Sequence, residues 1–293
     1  MTDPNPLEPR EVDPYRAPQS GFALETANPG AYSGTPLDWE PFEALRFGFE
    51  SVRRYPISIL AAFVASLVAS IVGGIGSIAQ NVLGLNGDER LVLLGAVIYV
   101  VCLLLNIPLA AWMGVGQARY ALALVRGERP ELTVIFRGEG LLAAIGVQCV
   151  YVFGAIAVGI VLFVPAILLF KVQWSDLGVE PFVAAGAGLL VFLPLALFFA
   201  ARMSLANTAI AARGAGTFES MGDTWRLTAG QLWPFVLFFL LFFVLSVVAY
   251  IVGLLVCCVG VLVTVPAAVM MFYVGTAYAY QKRSGVEPVL PAA

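Results

Sequence analysis

Apolar side chains along this chain come in long blocks, and the polar positions between them recur in step. The blocks run roughly 56–79, 91–113, 141–165, 182–202, 231–253 and 260–280. Each is near the ~20 residues that a helix needs to cross a ~30 Å hydrocarbon core. The last two come from one uncharged run, Leu227 to Gln281, which is too long for a single crossing. Gly253 and Gly260 bracket the turn that divides it. The pattern predicts an all-α integral membrane fold of six transmembrane helices.

A second periodicity pairs these blocks. Pro108 is followed by Arg126-Gly127, Pro194 by Arg213-Gly214, and Pro266 by Arg283-Ser284-Gly285, the glycine each time 19 or 20 residues on. Each proline sits in the second block of a pair, so an internal repeat of three tandem hairpins is expected, over 38–127, 128–214 and 215–285. Gly127 and Gly214 suit helix C-caps, and Arg126 and Arg213 stand at the negative end of the helix dipole. If helix two is continuous from Leu91 to Arg126 it is ~54 Å long and must tilt, bend or project beyond the bilayer. Pro108, Pro165, Pro194 and Pro266 are the expected kinks, which either shape packing or frame a transport site.

Before each odd-numbered block lies a short amphipathic segment. Asp38 is an N-cap candidate for a helix with the face Phe42, Leu45, Phe49 and Val52, with Glu50 and Arg54 paired on its other side. Leu132, Ile135 and Phe136 share a face in the second, and Thr217 can cap Phe218, Met221 and Trp225 in the third. Tyr55-Pro56 and Trp233-Pro234 put an aromatic at headgroup level before a helix start. These segments read as helices lying in the membrane interface.

Composition agrees with the pattern. Of 293 residues 60% are hydrophobic and 12% charged, with mean hydropathy +0.90, far from a soluble chain. The lipid bilayer is the expected partner, because it accepts apolar side chains all round a helix. A net charge of −3 without a basic stripe argues against nucleic acid. Residues 1–37 hold seven of the 18 prolines, five acids and two arginines, the composition of a disordered Pro-rich acidic tail rather than a signal peptide. Its Asp13-Pro14-Tyr15-Arg16-Ala17-Pro18 piece reads as a solvated linker or a short motif for envelope protein partners. A short tail, 286–293, closes the chain.

Charge then orients the molecule. With both ends and the loops after spans two and four on one side, that side carries all lysines and arginines except Arg90 and Lys171, a division of 14 to 2. The positive-inside rule makes both termini cytoplasmic.

Candidate chemistry is sparse. The absence of histidine removes His bases, His-ligated metals and histidine pH switching. Cys102, Cys149, Cys257 and Cys258 form no CxxC spacing, so no zinc site, cofactor or disulfide framework is indicated; they read as small buried hydrophobes, with a redox or metal pair as the alternative for the adjacent Cys257-Cys258. No charged residue lies deep in a span, which argues against ion coupling. The uncharged polar candidates are Asn106, Gln148 and Asn207. Each makes either an interhelical hydrogen bond, worth ~0.6 kcal/mol, or one wall of a substrate cavity. Gly73-Gly74-Ile75-Gly76 and Gly186-Ala187-Gly188 allow close helix contact and are not phosphate loops, since no Lys-Ser/Thr follows.

Gly116-Gln117-Ala118-Arg119 through Arg126-Gly127-Glu128 to Ile135-Phe136, with the helix ending Val164-Pro165, carries a recognisable pattern. So does Ser220 to Thr228 with the hairpin through Val265-Pro266 to Tyr280. They resemble the YciC-like group of uncharacterised bacterial integral membrane proteins, similar to the membrane domain of some glycerophosphodiester phosphodiesterases. The resemblance implies a six-span helical bundle in the bacterial inner membrane and supplies no catalytic residue. It leads to an expected non-enzymatic structural or regulatory role, with a permease for a neutral or amphipathic small molecule or lipid as the alternative.

Overall fold

The computed structural model describes residues 36–85, 89–169, 198–256 and 260–291. Its elements are α1 (Pro41–Arg54), α2 (Ile57–Gly84), α3 (Glu89–Val125), a 3-10 turn (Leu132–Phe136), α4 (Leu141–Leu169), α5 (198–213), α6 (Thr217–Thr228), α7 (Leu232–Leu255) and α8 (Val261–Arg283). Among the described residues there is no strand, only an isolated bridge between Arg126 and Val289. Among the described residues four helices are long and apolar enough to cross a membrane: α2, α3 from Arg90 on, α7 and α8. The chain is a multi-pass membrane protein. The expected third span falls on α4. Most of the fourth, with Pro194, lies outside the described residues, as do Cys257, Cys258 and the Asp13–Pro18 piece.

Helices α2 and α3 form one hairpin and α7 and α8 another, each closed by glycine. A Cβ built on Gly76 would stand 2.7 Å from the Cys102 Cβ, and one on Gly253 would stand 2.7 Å from the Val261 Cα. Replacing either hydrogen by a side chain would separate the backbones, which is why small residues mark such seams. Thr264 adds a hydroxyl bond to the Ala249 carbonyl at 2.8 Å. Helices α3, α4 and α8 run on as helix through Pro108, Pro165 and Pro266.

Burial concentrates at the C-terminal ends of α3, α5 and α8. Tyr120 and Leu124, Leu205 and Ile210, and Met270 and Val274 are fully enclosed there, whereas Leu93, Val97 and Leu104 in the first half of α3 are exposed. The long helices therefore change character along their length, from an apolar outer surface to a closed core.

The short segments pack on this core with the smaller side chains inward. On α1 the buried positions are Ala44, Gly48, Ser51 and Val52, while Phe42 and Phe49 are 64% and 54% exposed. Of the expected apolar face, Phe42 and Phe49 lie outside, Leu45 is half-buried and Val52 is buried. A membrane helix gains little by hiding aromatics from lipid, and close backbone approach decides which face turns in. Met271 of α8 sits against Gly48, its carbonyl oxygen 2.6 Å from where a Cβ would be. Helix α6 repeats the choice, burying Ser220, Asp223, Thr224 and Leu227 and leaving Phe218 and Trp225 outside. The second segment is a 3-10 turn rather than an α-helix, with Ile135 buried over Gly116 of α3.

Capping also departs from expectation in two places. Helix α1 begins after Glu40 with Pro41 in its first turn, where the missing N–H costs nothing. Asp38 instead accepts a hydrogen bond from Gln231 Nε2 at 3.2 Å. Gly216, not Thr217, precedes α6, and the Thr217 hydroxyl donates to the Ala143 carbonyl of α4 at 3.2 Å. The glycine stops behave as expected: Gly127, Gly214 and Gly285 take φ of 79°, 67° and 77°, the left-handed turn a C-cap requires.

Both ends of the described core meet at these caps. The Leu37 N–H donates to the Lys282 carbonyl at 2.9 Å, and the Val289 N–H donates to the Val125 carbonyl at 2.8 Å. The segment after α8 is thus docked on the end of α3.

Candidate functional site

The long helices deliver their polar side chains to the core at three levels. Nearest the caps, Arg213 forms an ion pair with Asp223 of α6, and Arg283 Nε donates to the Leu227 carbonyl at 3.1 Å. These two arginines of the Arg-Gly stops therefore tie α6 down, a more specific duty than facing a helix dipole. Arg119 is buried about two turns before its own cap, Gly127. Its guanidinium donates to the Arg137 carbonyl at 2.6 Å and to the Glu139 carbonyl, holding the turn that leads into α4.

The second level holds Arg202 on α5, which is only 6% exposed. Phe198, one turn earlier on α5, lies 4.3 Å from its guanidinium carbon, and Trp225 of α6 lies 3.3 Å away on ring-centroid distances. Phe198 and Trp225 are themselves edge to face at 6.4 Å. Tyr151 of α4 completes the box, beside both the Arg202 guanidinium and the Thr224 hydroxyl, with Phe199 edge-on to it at 5.9 Å. Trp225 closes the outside and is 58% exposed.

Among the described residues the box has no acid. Arg202 Nε and one terminal nitrogen are buried without a hydrogen-bond partner. Among the described residues no ion pair reaches Arg202, and Asp223 on α6 is already held by Arg213. Two cation–π contacts supply ~1–4 kcal/mol between them. Desolvating an ion costs several kcal/mol, and a lone arginine in a membrane environment at least ~2.5. The rings shelter this charge without neutralising it.

The third level contains the uncharged candidates. A Cβ on Gly114 of α3 would stand 3.1 Å from Asn207 Nδ2 and 3.7 Å from the Tyr273 hydroxyl, so Asn207 sits where α3, α5 and α8 meet. Asn106 faces Gly73 of α2 inside the first hairpin, its Nδ2 3.9 Å from a Cβ built there, and its side-chain oxygen is buried without a partner. Gln148 is half-buried on α4 next to fully buried Val147. The structure thus brings Asn207 to a helix junction and turns Asn106 toward its own hairpin partner.

Sequence reasoning missed Arg119 and Arg202 because both counted as solvated positive-inside charges. A signal was there: Arg119 has Val115, Leu122 and Ala123 three or four positions away, and Arg202 has Phe198, Phe199, Leu205 and Ala206. On a helix those neighbours surround the side chain. Among the described residues no group of three or more acids and cysteines is arranged to hold a metal ion. Comparison of the chain with protein-family models, curated proteins and solved structures finds no match.

Proposed function

We propose that this protein is a non-enzymatic structural or regulatory element of the bacterial cytoplasmic membrane, built as three tandem hairpins of the YciC-like kind with both termini cytoplasmic. The observation that carries the reading is the closed packing where α3, α5 and α8 converge, with Tyr120, Leu124, Leu205 and Met270 in one buried core. The repeat is supported by the left-handed glycines at Gly127, Gly214 and Gly285. It is supported again by the docking of α1 on α8 at Gly48 and of the 3-10 turn on α3 at Gly116. The shared location of Leu37 and Lys282 fits termini on one side of the membrane. The acidic tail is the surface we assign to envelope protein partners.

A permease for a neutral or amphipathic small molecule or lipid is the second reading, favoured by the polar groups of Asn207 and Tyr273 at the three-helix junction. Cysteine accessibility separates the two. In a variant with the four native cysteines replaced by alanine, Asn207→Cys should resist a charged methanethiosulfonate reagent in intact membranes. Rapid labelling of that cysteine from the aqueous side would overturn the closed-core reading in favour of transport. A C-terminal reporter should be active only in the cytoplasm; activity on the other side would reject the orientation.

A further inference from the structure

We infer that the box around Arg202 binds a phosphate oxyanion, supplied by the headgroup of an anionic phospholipid. This inference stands on the membrane placement alone and holds for either functional reading. Arg202 is a cation removed from water, with Nε and one terminal nitrogen unpartnered, although arginine presents five donors in a fixed fork. That fork matches two oxygens of a phosphate better than any other common anion in a membrane. The surroundings agree with this ligand. Tyr151 adds a hydroxyl beside the guanidinium, able to donate to a further phosphate oxygen, while the Thr224 hydroxyl next to it donates to the Met221 carbonyl at 2.8 Å.

The box also has the right address. Trp225, its outer wall, shares the exposed face of α6 with Phe218, seven residues earlier. Two exposed aromatics on one face of a short helix are what a helix lying at headgroup depth presents. A phosphate arriving at that depth meets the indole first, and displacement of the indole gives it the guanidinium. The aromatic walls then exclude water around the pair, which strengthens it. A soluble phosphate ester offers the same oxyanion but must arrive from the aqueous side without acyl chains to hold it.

The test uses full-length protein in nanodiscs of phosphatidylcholine, with tryptophan fluorescence as the readout. Short-chain phosphatidylglycerol, short-chain phosphatidylcholine, inorganic phosphate and glycerol 3-phosphate are titrated separately. Phosphatidylglycerol should bind saturably, and Arg202→Gln should weaken it at least tenfold while Arg202→Lys weakens it less. Saturable binding of phosphate or glycerol 3-phosphate with the same dependence on Arg202 supports the oxyanion site and makes its source soluble. Equal response to the two lipids, or equal affinity in wild type and Arg202→Gln, overturns the inference. Because Arg202→Gln can fail to fold, the wild-type protein is also photo-crosslinked with a phosphatidylglycerol carrying a diazirine on its headgroup. Adducts should concentrate on 198–202 and 221–225, and adducts spread evenly over the apolar surface of α2 and α7 overturn the inference.

Discussion

The docking of α1 on α8 turns on one missing methyl group, and Gly48→Ala tests it. A Cβ at position 48 would lie 2.6 Å from the Met271 carbonyl oxygen and 3.3 Å from that residue's carbonyl carbon and Cα. Packed atoms stand about 3.5–4.0 Å apart, so α1 has to withdraw by about 1 Å. Neither side can yield locally, because the obstacle is backbone within α8. Overpacking of this kind costs about 1–3 kcal/mol. Alanine in place of helical glycine also gains about 0.5–1 kcal/mol of backbone entropy, which offsets some of the loss. Gly74→Ala removes that ambiguity, since Gly74 is exposed on α2 with nothing within 4 Å of a new Cβ. The difference between the two variants is then the clash itself, and at about 2–4 °C per kcal/mol it comes to roughly 6 °C. The assay is thermal unfolding of each variant in the same detergent, followed by intrinsic fluorescence and by monodispersity on size exclusion. Gly48→Ala should melt well below Gly74→Ala, which should match or exceed wild type. If the two variants melt within 1 °C of each other, α1 is not held on α8 through this contact and the inward small-residue face is wrong.

Further outcomes follow from the polar clamps. Arg119→Gln removes charge-assisted bonds to the Arg137 and Glu139 carbonyls; it should cost about 2–3 kcal/mol and raise protease cleavage between Arg137 and Leu141, measured by limited trypsinolysis. Asp223→Asn leaves Arg213 facing an uncharged partner in a pair whose acid is 6% exposed. It should cost about 3 kcal/mol, with Arg213→Met added to it recovering stability in a double-mutant cycle; simple additivity would refute the coupling.

Placing side chains was harder than placing helices. The apolar blocks and the glycine stops were visible in the chain because membrane-crossing length and left-handed backbone are local demands. The apolar faces of α1 and α6 were visible, but not which small residues pack inward opposite them. An amphipathic pattern says that two faces differ; which one turns inward depends on whether the outside is water or lipid. Phe42, Phe49, Phe218 and Trp225 face out while Gly48 and Ser220 face in. The burial of Arg202 was only half legible: Phe198, Phe199, Leu205 and Ala206 flank it on its own helix, but its nearest wall, Trp225, is 23 positions away on another helix.

The boundary between the two sources of information follows the range of the forces involved. Helix length, the absence of histidine chemistry, the glycine caps and the division of positive charge are properties of short stretches or of sums over residues, and the sequence carries them whole. Pairings such as Arg213 with Asp223, Arg119 with the turn before α4, and Val289 with the end of α3 depend on where separate helices come to rest. Those positions are set by sub-ångström fits such as glycine against a facing backbone, and such fits exist only once the helices are packed together.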